Sequence, residues 1–542
     1  MNKQLDTLYK ELDFQSGSLL PTAEEPISGV SEHDWLEKGE WLAAGKRAGA
    51  EKVFFVENNP VAVFAECGSD LLEERAKAFN RIWSLARPRL LFLASPGQID
   101  VLDLAQEPLN ISGIKKRGSA KHRELETLVT VRAIEKVAKE LQQFHRDNIE
   151  SGKIFGEYRF GDLKNRADKA LIRDLKTVRL ELMQAGLSGK NVMHAHALIG
   201  RSIFIRYLED RGILTEDYFL RVARQTAGWT KLLKSPVSRP GFDFSDNQTF
   251  YPRVLENKDL AYALFKSLAH DFNGDMFPGV DDEEQFVTQE HLRLVQGLLY
   301  GDVGIQKRLF FYSYRFDIVP LDLISSIYEE FYHPSAIDEE KKNKARQDGA
   351  FYTPPVLVEL VLSRTLTFSE LMKKPRILDP ACGSGTFLVE SFRRIVRYEW
   401  RRSKKRPSFD GLKRILRDQI AGIEVNEEAA RITAFSLYLA MLHYLEPPAI
   451  TEQLRLRNRL PNILVSESTS RNSCHSIWVG NAFDTGSIKS KTVLSSRFGE
   501  HCADIVVGNP PWGGTGQQGR RRYEGARNND AGMVQRKQQA HR

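Results

Sequence analysis

The stretch RILDPACGSGTFLVESFRRI, residues 376–395, combines a short apolar run, a glycine-rich turn and an amphipathic segment. The apolar run is typical of a buried strand, and the segment after the turn has the spacing of a helix. Gly383 and Gly385 have no Cβ, so the backbone can bend sharply there and approach a ligand closely. The amide groups at the start of the helix can bind a carboxylate or a phosphate. The stretch therefore predicts a strand–turn–helix unit whose turn faces a ligand.

Similar units follow along the chain. IAGIEVNEEAARITAFSLYLAML (420–442) begins with a short strand that ends in Glu424, before a helix. IWVGNAFDT (477–485) and DIVVGNPPWGG (504–514) contain two further strands. Such repetition predicts an α/β fold with a doubly wound, mostly parallel sheet and a ligand at the carboxyl ends of its strands. At that edge Glu424 is suited to bind ribose hydroxyls, although a solvated acid at a helix N-terminus would give the same pattern.

The segment Asn509-Pro510-Pro511-Trp512 follows the last of these strands. The side-chain oxygen of Asn509 and the carbonyl of Pro510 can both accept hydrogen bonds from one exocyclic amine, because the prolines fix the backbone. Trp512 can stack on a base, a contact that contributes about 1–3 kcal/mol. A proline-rich turn with a half-buried tryptophan is the alternative. The glycine-rich turn and the acidic strand end that precede it favour a site for a planar amine.

Taken in order, FYTP, DPACGSGTFL, GIEVNEEAARI, GNAFDT and NPPW make residues 349–514 resemble the S-adenosylmethionine-dependent, amino-group-directed DNA methyltransferases. The similarity is to the adenine-N6 enzymes of type I and fused type II restriction–modification systems. HALIGRSIFIRYLEDRGIL (196–214) and FDIVPLDLISSIYEEFYHP (316–334) are similar to the helical segment of the fused enzymes, and residues 50–110 to their N-terminal module. The resemblance implies a Rossmann-like methyltransferase domain, S-adenosyl-L-methionine as cofactor and double-stranded DNA as partner.

The resemblance also implies a role for each matching residue. The cofactor-binding residues would be Phe351, Tyr352 and Thr353 at its methionine end, Asp379, Ala381, Gly383 and Gly385 around it, Glu424 at its ribose, and Asn481, or else Asp484, at its adenine. The catalytic residues would be Asn509, Pro510, Pro511 and Trp512. Of these, the asparagine and the first proline would orient the target amine, and the tryptophan would stack on the flipped base.

The chemistry of such a site follows from the weakness of the nucleophile. An adenine inside a duplex is out of reach, so the base must be flipped out at a cost of a few kcal/mol. Two acceptors at N6 would localise the lone pair of the amine and direct it at the sulfonium methyl group. Transfer is an in-line displacement that depends on positioning, and no metal is expected. The predicted function is site-specific adenine-N6 DNA methylation in a restriction–modification or phage-defence system.

The chain is expected to divide into a small α/β module (1–115), a helical domain (116–340), the methyltransferase domain (341–514) and a basic, disordered tail (515–542). In the first module, KVFFVE and VAVFAE predict a hairpin. Glu57 and Glu66 suggest the shell of a nuclease fold, but Gly68 stands where the catalytic lysine is needed, so we expect no cleavage. ELETLVTVRAIEKVAKELQQF (124–144) has a helical apolar period.

Composition limits the class of protein. The 542 residues are 41% hydrophobic and 27% charged, as in a globular protein, and no apolar run reaches the roughly 18 residues that span a bilayer. The four cysteines lie far apart, which favours reduced thiols in the cytoplasm over disulfides or a zinc site. The net charge of +7 indicates nucleic acid only weakly. The basic segment, residues 391–420, holds eleven Lys or Arg against three acids, and predicts either a solvated helix face or contact with phosphates.

The tail leads to the alternatives. Residues 515–542 hold seven Lys or Arg against two acids, almost no apolar residues and no apolar period. This composition predicts disorder or an out-of-frame reading. Because the similar enzymes continue well beyond NPPW, we expect a truncated chain with an incomplete sheet, no target-recognition domain and little or no sequence-specific methylation alone. A separate C-terminal or specificity chain would then be a partner. The alternatives are a non-catalytic DNA- or cofactor-binding remnant, half of a split enzyme, or a methyltransferase for cytosine N4, RNA or a protein glutamine amide.

Overall fold

The computed structural model describes residues 3–109, 125–157, 160–235, 250–272, 280–300, 314–320, 323, 353–456, 460–465, 476–482 and 503–510. In these parts the chain is a mixed α/β protein, mostly helical, with two separate sheets. The strands are β1 (Ser18–Pro21), β2 (Ala50–Val56), β3 (Asn59–Glu66), β4 (Leu90–Ser95), β5 (Gln98–Asp103), β6 (Thr127–Val131), β7 (Ile377–Asp379), β8 (Ile420–Glu424), β9 (Leu464–Val465), β10 (Ile477–Val479) and β11 (Ile505–Val506).

The α-helices are α1 (Lys3–Glu11), α2 (Glu32–Ala48), α3 (Leu72–Trp83), α4 (Val137–Glu140), α5 (Arg146–Glu150), α6 (Ile154–Glu157), α7 (Ala167–Gln184), α8 (Val192–Asp210), α9 (Glu216–Ala223), α10 (Ala227–Lys234), α11 (Tyr251–Val254), α12 (Lys258–Asp271), α13 (Val280–Phe286), α14 (Gln289–Tyr300), α15 (Pro355–Thr365), α16 (Phe368–Met372), α17 (Thr386–Ser403), α18 (Phe409–Gln419), α19 (Glu427–His443) and α20 (Pro447–Arg455). Among the described helices, none has the length and apolar character needed to cross a membrane.

The first sheet, named the mixed sheet, has the order β1-β2-β3-β4-β5-β6. Its neighbours are antiparallel except β3 and β4, which run parallel because α3 connects them. The expected hairpin is present, with Val56 opposite Asn59. Successive side chains of β2 enter opposite cores, so that Phe54 packs on one face and Phe55 on the other. The mixed sheet is therefore covered on both faces.

The sixth strand shows that the helix predicted within 124–144 is wrong at its start. Thr127–Val131 forms β6, which pairs antiparallel with β5, and only the short helix α4 follows after a 3-10 turn. The TLVTV sequence is rich in β-branched residues that fit a pleated surface, and the edge of β5 offers it a partner. The mixed sheet thus extends past residue 115, into a region for which only helices were expected.

The second sheet, named the parallel sheet, has the order β11-β7-β8-β10-β9, and all its neighbours are parallel. The strand order reverses at β7, since β8 lies on one side of it and β11 on the other. Helix α17 follows β7 and packs against α19, which follows β8. Close packing requires Gly422 in β8, because a Cβ there would lie 2.5 Å from Leu388 Cδ1 of α17. The carboxyl ends of all five strands therefore meet at one edge, where open α/β sheets bind ligands.

The described helices from α7 onward share one apolar core with the parallel sheet and one face of the mixed sheet. The helix predicted within 196–214 is α8, and it stops just before Gly212, whose φ of +69° suits a glycine. Arg201 in α8 donates hydrogen bonds of 2.7 and 3.1 Å to the buried carboxylate of Glu283. Phe204 of α8 contacts Phe435 of α19 with ring centroids 5.6 Å apart. The helical region thus supports the helices of the parallel sheet directly.

Helix α17 is joined to α2 by buried ion pairs. Arg394 donates to both carboxylate oxygens of Glu37, at 2.8 and 2.5 Å. Arg393 and Arg397 pair with Glu40 at 3.0 and 3.2 Å. The side chains of Arg394 and Arg397 are each 2% exposed. Both interpretations of the basic segment are wrong for these arginines, because carboxylates from far earlier in the chain bury and neutralise them.

Candidate functional site at the carboxyl edge of the parallel sheet

The turn after β7 is organised by Asp379. Its side chain is 1% exposed, and its Oδ1 accepts a hydrogen bond of 3.1 Å from the backbone N–H of Ala381. One residue later, the N–H of Cys382 donates to the carbonyl of Ile423 in β8 at 3.0 Å. The turn is therefore fixed against the neighbouring strand before α17 begins.

Gly383 and Gly385 adopt left-handed backbone conformations, with φ of +54° and +84°. A Cβ on Gly385 would lie 2.6 Å from Thr433 Cγ2, whereas a Cβ on Gly383 would meet no atom within 4 Å. Thr433 in α19 also donates a hydrogen bond of 2.7 Å to the Gly383 carbonyl. Sequence reasoning missed Thr433, for which the only signal was a polar residue in an apolar helix.

Glu424 ends β8 directly beside this turn. Its carboxylate accepts a hydrogen bond of 2.9 Å from the Gly383 N–H and one of 2.8 Å from the Asn426 N–H. Asn426 itself caps α19. The acid therefore contacts the glycine-rich turn, and the capping role that was its alternative belongs to the asparagine two residues later.

Asn481 follows β10 at the same edge. β10 pairs with β8, with Val479 opposite Glu424, and the Gly480 N–H donates to the Glu424 carbonyl at 2.8 Å. The Asn481 residue is exposed, one position beyond that bond. The structure thus places Asn481 next to the end of β8.

Asn509 and Pro510 follow β11, on the other side of β7. The N–H of Val507 donates to the Leu378 carbonyl at 3.0 Å, which ties the segment to β7. A Cβ on Gly508 would lie only 2.5 Å from Asp379 Oδ1. Gly508, which sequence reasoning also missed, therefore brings Asn509 and Pro510 next to the turn that carries Asp379.

The start of β11 is held by one ion pair. Arg376 donates to Asp504 through its backbone N–H at 2.8 Å and through Nε and Nη2, both at 2.9 Å. These bonds lower the pKa of Asp504 to about 2, the side-chain bond from Arg376 being the main cause. The pair anchors the strand that leads to Asn509 along the edge of β7.

Of the remaining predicted site residues, the structure describes Thr353 and leaves five others outside the described residues. Thr353 is half-buried and lies two residues before α15, which packs against α17. Lying outside the described residues are Phe351, Tyr352, Asp484, Pro511 and Trp512. The described site is therefore built from the ends of β7, β8, β10 and β11.

The electrostatics of this edge are set by two carboxyl groups. Burial raises the pKa of Asp379 to about 7, the Glu424 carboxylate adds to the rise, and the Ala381 N–H opposes it. Burial, helped by the same two carboxylates, raises the pKa of the Cys382 thiol well above its ordinary value. Cys382 thus stays a thiol and is not a nucleophile. The edge favours a ligand with positive charge and hydroxyl groups.

The acids considered for a nuclease lie apart in the mixed sheet. Glu57 is in the turn between β2 and β3, with φ of +54°, and Glu66 is the last residue of β3. Across the residues that the structure describes, no group of three or more His, Cys, Asp or Glu is placed to hold a metal ion. The described residues that were predicted to form a site lie together at the parallel sheet instead.

A comparison with known protein families covers the same part of the chain. Residues 359–539 match a family model described as the MmeI DNA-methyltransferase domain. Over 99 residues the chain is 31% identical to the adenine-specific methyltransferase PglX of Streptomyces coelicolor, covering 17% of this chain and 8% of that protein. The chain thus spans a small fraction of the length of this curated relative.

Two solved structures are similar in part. One is the type IIL restriction–modification enzyme MmeI in complex with DNA, with a TM-score of 0.35 and 20% identity; the match covers 64% of this chain and 43% of that chain. The other is a DrdV–DNA complex, with a TM-score of 0.34 and 13% identity; the match covers 93% of this chain and 40% of that chain. TM-scores this low support no conclusion about fold or function. The family model and the curated relative support a methyltransferase of the restriction–modification type, and the family model covers the segment that holds the parallel sheet.

Proposed function

We propose that the parallel sheet is a Rossmann-like S-adenosylmethionine-dependent methyltransferase core that modifies adenine N6 in DNA, within a restriction–modification or phage-defence system. One observation carries the proposal: the glycine-rich turn is contacted from both sides. Glu424 binds the Gly383 N–H from one neighbouring strand, and Gly508 lies against Asp379 from the other. A cofactor bound at the turn and a target amine bound at Asn509 would then be adjacent, as methyl transfer requires.

The residues at this edge fit the proposed cofactor. S-adenosylmethionine carries a sulfonium, an ammonium group and ribose hydroxyls. The edge holds the buried carboxyl group of Asp379 and the partly exposed carboxylate of Glu424, beside a turn with open space at Gly383. Asp379 would attract the cationic methionine end, Glu424 would accept from the ribose, and Asn481 would lie at the adenine. When bound, the cofactor supplies the electrophilic methyl group. Phe351, Tyr352 and Asp484 remain predictions.

The target side of the site rests on Asn509 and Pro510. Their side-chain and backbone oxygens would accept hydrogen bonds from N6 of a flipped adenine and aim its lone pair at the methyl group, without a strong base. Pro511 and Trp512 would complete the motif by stiffening the backbone and stacking on the base. Adenine is favoured because the curated relative is named an adenine-specific methyltransferase.

Product analysis tests this function. The chain is incubated, at a concentration equal to that of the DNA, with methyl-labelled S-adenosylmethionine and DNA that lacks methylation. The DNA is then digested to nucleosides, and the labelled nucleosides are identified. This readout counts transfer at any sequence, so it does not depend on recognition of a particular site. We expect labelled N6-methyldeoxyadenosine, reduced about 100-fold by Asn509→Ala because the amine loses its positioning acceptor.

The control is Asn148→Ala, which removes an asparagine from α5, remote from the parallel sheet, and should leave the product unchanged. Detection of labelled N4-methyldeoxycytidine in place of N6-methyldeoxyadenosine would show that the target base is cytosine and not adenine. Absence of any labelled nucleoside together with absence of cofactor binding would contradict the proposed function.

A further inference from the structure

Two strand ends of the parallel sheet carry the same tripeptide, Val-Gly-Asn, at 479–481 and at 507–509. Gly480 follows β10 and Gly508 follows β11, both at the carboxyl edge. Neither glycine has a positive φ, so the backbone itself would accept alanine at both positions. Any requirement for glycine must therefore come from what surrounds each residue.

The surroundings of the two glycines differ. A Cβ on Gly480 would meet no atom within 4 Å, but a Cβ on Gly508 would lie 2.5 Å from Asp379 Oδ1 and 3.2 Å from its Cγ. The first position tolerates a side chain and the second leaves no room for one.

Neither partner in the Gly508 contact can move away freely. The carboxyl group of Asp379 is buried, and its Oδ1 accepts the hydrogen bond from the Ala381 N–H. The segment before Gly508 is tied to β7 by the bond from Val507 to the Leu378 carbonyl. The contact is therefore held on both sides by hydrogen bonds that a displacement would break.

We propose that Gly508 is a positioning residue, whose missing side chain seats the target-amine segment directly on the Asp379 carboxyl group and so fixes its distance from the glycine-rich turn. The proposal rests on the proposed function, because it deepens the role of that site. A side chain at 508 would push the carboxyl group away from the Ala381 N–H. Substitution on the target side would thus disturb cofactor binding, although Gly508 is not part of the turn.

Cofactor titration gives the first test. S-adenosylmethionine is titrated calorimetrically into the wild-type chain, Gly508→Ala, Gly480→Ala, Asp379→Ala and the double variant Asp379→Ala/Gly508→Ala. We expect Gly508→Ala to bind roughly tenfold more weakly, as for coupled neighbours. Gly480→Ala should weaken binding less than Gly508→Ala does, because the added methyl group displaces no protein atom. The double variant should bind as Asp379→Ala does, because the carboxyl group that the added methyl group would displace is already absent.

Hydrogen exchange of the cofactor-free protein gives the second test. If Gly508→Ala displaces the carboxyl group, the Ala381 amide loses its acceptor and should exchange about tenfold faster, while Gly480→Ala leaves it unchanged. A role in general stability alone would not single out this amide. Unchanged exchange at Ala381, or equal effects of the two glycine variants, would overturn the proposal. A wild-type chain that fails to bind the cofactor would count against the proposed function, and the exchange comparison would still decide the role of Gly508.

Discussion

The two sheets of this chain use their residues differently. The mixed sheet has strands of four to eight residues with aromatic side chains packed on each other, such as Phe64 and Phe92, whose ring centroids are 4.9 Å apart. The parallel sheet has strands of two to five residues. β7 and β8 end in Asp379 and Glu424, and a Gly-Asn pair follows β10 directly and β11 after one residue. Buried aromatic side chains are thus a feature of the mixed sheet, and polar residues at strand ends are a feature of the parallel sheet. Stability and chemistry should therefore be separable by mutation.

The largest effect should come from the mixed sheet. Phe64→Ala removes a fully buried ring and should lower the free energy of unfolding by about 3–5 kcal/mol, because it leaves a cavity. Denaturant unfolding measures this loss. At a temperature where the variant remains folded, its affinity for S-adenosylmethionine should match wild type. A weakened affinity would show that the two sheets are not independent.

The link between the sheets should be nearly as sensitive. Arg394→Ala leaves the buried Glu37 carboxylate without its ion-pair partner and should cost about 3–5 kcal/mol of unfolding free energy. Arg417→Ala is the matched control, since its pair with Asp418 is about half exposed and should contribute at most about 1 kcal/mol. Equal losses for the two variants would contradict the buried role of the α17 arginines.

In contrast to Phe64→Ala, Gly385→Ala should lower cofactor affinity strongly and stability only modestly. Its left-handed φ and the contact with Thr433 should cost about 1–3 kcal/mol of stability, and cofactor binding should fall more than about tenfold because the turn is displaced. Gly97→Ala is the control: it has a similar φ of +80° in a turn of the mixed sheet, with no atom near the added Cβ. Gly97→Ala should have the same backbone strain as Gly385→Ala and should bind the cofactor with the affinity of wild type. An equal loss of affinity in both would exclude a local role for the turn.

The most gradual effect, and the smallest per pH unit, is a pH dependence from Asp379. Its pKa is raised from 3.8 to about 7 in the folded chain, so between these values the folded state keeps a proton that the unfolded state has lost. The contribution of this group to stability is present below about pH 4 and is lost as pH rises through 7, with a slope of at most about 1.4 kcal/mol per pH unit. The difference in unfolding free energy between wild type and Asp379→Asn, measured from pH 4 to 8, should follow this slope. A flat difference would contradict the burial of the carboxyl group.

Local sequence was enough to predict the strand–turn–helix units of the parallel sheet and the hairpin of the mixed sheet. Apolar period, glycine position and strand-ending acids are signals within about 20 neighbouring residues. The strand at Thr127–Val131 was missed because its pattern also fits a helix, and the free edge of β5 decided the outcome. Short apolar runs remain ambiguous until their partner is known.

The long-range contacts that bury polar residues could not be predicted from local sequence. The arginines of the basic segment pair with α2, more than 350 positions earlier in the chain, so their burial depends on tertiary packing. The contact of Gly508 with Asp379 likewise joins two strands that no local pattern relates. Sequence identified the chemical groups of the candidate site, whereas the distances between them required the structure.

The most direct measurement is calorimetric titration of S-adenosylmethionine into the wild-type chain, Glu424→Gln and Glu66→Gln. Both acids end a strand, one in the parallel sheet and the other in the mixed sheet. We expect one cofactor per wild-type chain, affinity lowered about tenfold or more by Glu424→Gln through loss of charged hydrogen bonds, and no change with Glu66→Gln. No binding by the wild type, or equal affinities for the two variants, would contradict a cofactor site at the carboxyl edge of the parallel sheet.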